Sequence, residues 1–221
     1  MTTKPDQITA RHYTIDFVDA MGYYLQRMGA PFDRDETFNQ VYQYSLGKQA
    51  VNKESLIGLL KLAEHYLESF PAGRSIANSC HATSHAFAVT VKALELDDEI
   101  PMAITIGNVY FKNKNIYGVT RERIEQILTK GFEPGRTIDV HVWLTLPDMT
   151  VLDLTILSTL FARGLTEVEA ALDKRVLVWS PETQSDYRFE PLLVDNDFFL
   201  KVDTGLVGFN GSPSGLKLTS F

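Results

Sequence analysis

Cys80, His141 and Asp153 are the residues of this 221-residue chain whose types and spacing could do chemistry together. Cys80 is the only cysteine, so no disulfide within the chain competes for its sulfur. A thiol becomes a nucleophile only as the thiolate, which at neutral pH needs positive charge beside it. Asn78 or Ser79 can cap a helix that begins at Cys80, and the first turn of a helix supplies unpaired N–H groups and a partial positive charge. The backbone N–H of Cys80 could serve there as one donor to an oxyanion. The competing reading of a lone cysteine on a helix face is a buried structural thiol.

His141 and Asp153 fall in two consecutive alternating segments. Ile138, Val140, Val142, Leu144 and Leu146 are apolar, as are Leu152, Leu154 and Ile156. Residues opposed in an antiparallel pair share a face, so both even-numbered sets must face one core and paired numbers must have an even sum. An even sum needs an odd loop, of about three or five residues, around Leu146-Pro147-Asp148. That register sets His141 opposite Asp153, where a carboxylate can hold one imidazole nitrogen and leave the other for the thiol. The competing reading is a polar pair on an exposed sheet face.

The elements that must position these residues can be read from periodicity. Phe17, Val18, Met21, Tyr24, Leu25 and Met28 recur at helical spacing up to Gly29. A second helix covers Glu36 to Leu46. A third follows an Asn52 cap, with a stripe through Leu59, Leu62, Ala63, Tyr66, Leu67 and Phe70, and Pro71-Ala72-Gly73 breaks it. The fourth, Ser79 to Leu96, carries Cys80, Ser84, Phe87 and Val91 on one face. A strand from Pro101 to Phe111, bulged at Gly107-Asn108, precedes a helix that Thr120 caps and Gly131 ends. Strands are expected at 137–146, 150–156, 176–179, 187–189 and 198–202. The capping box Thr166-Glu167-Val168-Glu169 opens a short helix. Helices followed by a mixed sheet indicate an α+β fold in a single domain. Its parts are a helical segment over 1–70, a core over 74–204 with the central helix packed on an antiparallel sheet, and a loose tail over 205–221.

Composition narrows the partners. With 21 Lys+Arg against 28 Asp+Glu the net charge is -7, which suits neither a nucleic-acid backbone nor an anionic membrane. No apolar run reaches spanning length and the first residues lack a signal core, so a cytoplasmic protein is expected.

The pieces Asn78-Ser79-Cys80-His81, His141-Val142-Trp143 and Leu152-Asp153-Leu154-Thr155 resemble the transglutaminase-like branch of the papain-like cysteine enzymes. The order Cys, His, Asp agrees, and the resemblance covers 78–155. It implies a papain-like or transglutaminase-like core and a thioester mechanism. In it Cys80 attacks a carbonyl, His141 shuttles the proton and Asp153 orients His141. The expected reaction is hydrolysis of a peptide or amide, with no cofactor. An amine acceptor would make it an acyltransferase, and a protein of the same fold without turnover is the third alternative.

Many papain-like enzymes have an oxyanion Gln shortly before the cysteine. None stands between Pro71 and Cys80, so Asn78 and Ser79 are the candidates for the second donor and for substrate contact. Trp143 shares a face with His141 and is the candidate wall of a substrate groove. Asp139 lies two residues along the same strand and is the poorer orienter. His81 and His85 share a helix face but find no third ligand by spacing, so no metal is expected. His12 and His65 are read as structural.

Overall fold

A computed structural model describes residues 5–46, 52–70, 76–96, 100–131, 140–167, 176–198 and 200. Among them are six helices and six strands, with every strand pair antiparallel, an α+β architecture. The helices are α1 (Pro5–Arg27), α2 (Arg34–Leu46), α3 (Lys53–Glu68), α4 (Cys80–Ala93), α5 (Arg121–Lys130) and α6 (Ile156–Ala162). The strands are β1 (Ala103–Phe111), β2 (Lys114–Asn115), β3 (His141–Thr145), β4 (Val151–Asp153), β5 (Leu177–Trp179) and β6 (Tyr187–Val194). No helix among the described residues is long and apolar enough to cross a membrane.

The expected caps form. The Asn52 side chain accepts from Glu54 N–H at 2.9 Å, and Thr120 accepts from Arg123 N–H at 3.2 Å. Gly131 ends α5 with φ 72° and Gly29 follows α1 with φ 68°, backbone that favours a residue without Cβ. In the sheet β1 is central, with β6 along one edge and β3, then β4 and β5, beyond the other. β2 folds back as a hairpin on the end of β1. The irregularity expected at Gly107 is a register shift between β1 and β6 after Ile106. A Cβ on Gly107 would sit 2.0 Å from the Glu190 carbonyl oxygen and 2.9 Å from Trp143, so close approach requires glycine there.

Helices cover both faces of the sheet. Even-numbered Ile104, Ile106, Val142 and Leu144 pack with Leu59 and Leu67 of α3, Phe87 and Val91 of α4, and Ile124 of α5. Odd-numbered Ala103, Val109, Trp143 and Val151 pack with Tyr13, Phe17 and Met21 of α1 and Leu160 of α6. The odd face, read from the sequence as polar, is therefore interior. Around Trp143 its polar atoms are satisfied locally. Trp143 Nε1–H donates to the Tyr13 hydroxyl at 3.0 Å, and that hydroxyl meets Thr145 Oγ1 at 2.9 Å. Thr105 Oγ1 lies 2.7 Å from the same Thr145 oxygen. A buried hydroxyl cluster survives only when closed in this way.

Several expectations are corrected. The strand expected over 150–156 ends at Asp153, and α6 begins at Ile156. Asp153 Oδ1 accepts from the N–H groups of Thr155 and Ile156, both at 3.0 Å. That side-chain capture turns β-branched residues away from the ladder. Phe198 and Leu200 are helical rather than strand. The 187–189 strand runs on to Val194. Asp139, part of the Thr166–Glu169 capping box, residues 201–202 and the tail lie outside the described residues.

Candidate active site

β3 and β4 pair as Leu144↔Leu152 and Thr145↔Val151, which leaves the five-residue loop 146–150 between them. The parity of the register is the expected one. The register itself is two residues off the expected one, so Trp143 rather than His141 falls opposite Asp153. His141 and Asp153 are diagonal neighbours, still within reach of an imidazole. His141 Nε2 lies 2.5 Å from Asp153 Oδ2. The carboxylate can only accept, so Nε2 carries the proton. With Oδ1 held by the start of α6, both carboxylate oxygens are engaged and the ring orientation is set by backbone.

α4 brings the thiol. β4 stops at Asp153, and the Leu146 N–H donating to Thr150 O at 2.8 Å shows that even-numbered backbone groups of β3 point towards the β4 side. The Val140 and Val142 carbonyls thus lie beyond the end of β4. Cys80 Sγ–H donates to Val140 O at 3.5 Å, and Ser84 Oγ–H to Val142 O at 3.3 Å, one turn apart on α4. The helical spacing of four is what matches two carbonyls on alternate strand residues. Cys80 is the first residue of α4, so its N–H has no acceptor within the helix. Ser79 makes no side-chain cap there.

The three side chains are enclosed, with Cys80 2% exposed and His141 and Asp153 at 0%. Burial pushes the Cys80 thiol up. Hydrogen bonding and charge from His141, then from His81, outweigh it and bring the thiol from 9.0 down to about 6. Burial pulls His141 down, and the charge and hydrogen bond of Asp153, with the thiol, hold it well above its ordinary value. His141 Nδ1, the nitrogen not held by Asp153, makes no full hydrogen bond. Both shifts favour moving the proton from sulfur to the imidazole.

The other candidate residues divide. Trp143 lines no groove. It is fully buried, stacked 6.0 Å from His141, and its N–H is held by Tyr13. The Ser79 hydroxyl donates to Ile76 O at 2.6 Å. Asn78 is exposed in left-handed backbone, φ 61°, and its N–H donates to Thr159 Oγ1 at 3.2 Å. It shapes the turn into α4. His85 is half-buried with its pKa lowered by burial against the opposing charge of Asp197. No three His, Cys, Asp or Glu side chains among the described residues come together as metal ligands.

Two residues at the site escaped sequence reasoning. The Tyr117 ring stacks on His141 with centroids 4.8 Å apart at 24°. The Arg163 guanidinium lies 4.6 Å from the centre of the same ring, and its Nη1–H donates to Ile116 O at 2.6 Å. The available signal was an aromatic inside an Asn115–Gly118 turn, since side chains on turns between rigid elements often serve a site. Asn115 Oδ1 accepts from the N–H groups of Tyr117 and Gly118 at 3.1 and 2.8 Å, and Gly118 has φ 66°. No protein-family model matches the chain, and neither does any curated protein or solved structure.

Proposed function

We propose that the chain is a cysteine-dependent acyl-transfer enzyme with a papain-like or transglutaminase-like core, using Cys80, His141 and Asp153. The observation that carries this reading is the state of the imidazole. Asp153 engages Nε2 at 2.5 Å, while Nδ1 is left for a thiol near pKa 6 at the start of α4. Cys80 Sγ attacks the acyl carbon of an amide, and the carbonyl oxygen takes the electron pair. As the C–N bond breaks, His141 gives its proton to the leaving amine. Water then attacks the thioester, His141 takes the water's proton, and acid and thiol are released. An amine in place of water would give a new amide. The substrate class is a peptide, a protein side chain or a small amide, and an unpaired reactive thiol suits the reducing cytoplasm.

The test is the pH dependence of Cys80 alkylation by iodoacetamide in the wild-type protein and in His141→Ala. The expected result is a midpoint near 6 that rises towards the ordinary thiol value in the variant. The near-complete burial of Cys80 favours a second reading, a binding protein without turnover. Alkylation that occurs only on unfolding would select that reading and end the catalytic one.

A further inference from the structure

The stacking of Tyr117 on His141 leaves one group unused. The Tyr117 hydroxyl is enclosed and makes no hydrogen bond. An unpaired buried hydroxyl is costly, and such groups in folded proteins need an explanation. A Phe would keep the stacking on His141 and the contact with Arg163 without leaving a donor stranded. The loop nevertheless fixes the tyrosine firmly, through Asn115, Gly118 and Arg163.

We propose that the Tyr117 hydroxyl is the second donor to the oxyanion formed when Cys80 attacks an acyl carbon, its missing partner arriving only with the substrate. This rests on the acyl-transfer reading and supplies the donor that no Gln provides. The Cys80 N–H, which opens α4 and has no acceptor within the helix, is the other donor. Burial raises the phenol above 10.0, as do the charges of Cys80 and Asp153, against the pull of His141. The hydroxyl thus stays protonated, on a ring stacked 4.8 Å from the imidazole that serves the thiol. In the step itself the Sγ–C bond forms and the carbonyl π pair moves onto oxygen, which accepts from Tyr117 and from Cys80 N–H. The pair returns as the leaving group departs, and Tyr117 keeps its proton throughout.

The experiment compares two reagents on one thiol in wild type and Tyr117→Phe. p-Nitrophenyl acetate acylates Cys80 through a tetrahedral oxyanion and releases p-nitrophenolate. Iodoacetamide alkylates it by displacement at a saturated carbon, with no oxyanion. Tyr117→Phe should acylate about 10²–10³-fold more slowly and alkylate within about twofold of wild type with an unchanged midpoint. Acylation and alkylation falling together, or neither falling, would overturn the assignment and leave Tyr117 as packing against His141. A wild-type thiol that alkylates with a low midpoint but is not acylated overturns the Tyr117 role while the thiolate stands. One that reacts with neither reagent sinks the acyl-transfer reading, and this role with it.

Discussion

Cys80 would be an ordinary buried thiol if His141 were moved away, because burial alone raises its pKa. What reverses the sign is a ring whose charge is held in turn by Asp153. The charge on Asp153, more than its shape, should therefore set the thiol. Asp153→Asn keeps an acceptor for Nε2 and removes the charge. Its alkylation midpoint should rise from about 6 by about 1–3 pH units, and acylation at neutral pH should slow by about tenfold or more. A pH–alkylation profile checks this, and an unmoved midpoint would show that the thiol is tuned without Asp153. Asp153→Ala should also lower stability by about 1–2 kcal/mol in denaturant titration, because Thr155 and Ile156 lose the acceptor for their N–H groups.

At the scale of elements, α4 stands where a longer β4 would have run, with Cys80 Sγ beside the Val140 carbonyl and Ser84 Oγ–H donating to the Val142 carbonyl. Ser84→Ala strands the second of these in a dry interior. It should cost about 1–3 kcal/mol in urea titration while leaving the Cys80 midpoint where it is. A variant as stable as wild type would mean that the carbonyl finds another donor. Much of this arrangement was legible in the sequence. The face Cys80, Ser84, Phe87, Val91 is buried as the helical spacing requires, and the apolar alternation set the parity of the β3–β4 register. Parity is all that alternation carries, since loops of three and five residues preserve the same faces. The choice between them depends on turn conformation, here with Met149 at φ 65° and Asp148 Oδ1 accepting from Thr150 N–H at 3.0 Å. The start of α6 was illegible for another reason. Thr155 and Ile156 favour a strand, and one carboxylate bound to their N–H groups outweighs that preference. Tyr117 belongs to no periodic element, so its stacking on His141 left no pattern to find.

The whole molecule decides what the polar face of the hairpin becomes. The alternation alone leaves open whether it is a solvated surface or an interior one, and α1 lies against it and closes a core around Trp143. Phe17→Ala should cost about 3–5 kcal/mol in urea titration, because Phe17 is fully buried in that core. The enclosed ion pair also links global stability to pH in a way that can be worked out in sign. An unfolded thiol titrates near about 8.5 and an unfolded imidazole near about 6.5. The folded thiol is depressed to about 6, so it contributes stability above its unfolded value and loses it as pH falls through 6. The folded imidazole is raised, so its contribution is complete below its unfolded value and is lost as pH rises through the folded one. Between about pH 6.5 and 8.5 the folded pair holds one proton on nitrogen and the unfolded pair holds one on sulfur. The numbers bound are equal, and stability should be flat with pH across that window. Cys80→Ser removes the sulfur proton from the unfolded side, while Asp153 still holds His141 up. Its stability should then fall as pH rises from about 6.5, by up to about 1.4 kcal/mol per pH unit. Urea titrations at half-unit intervals measure both slopes. A wild-type slope as steep as that of Cys80→Ser would mean that the folded protein keeps its proton on sulfur, and the thiolate would be lost with it.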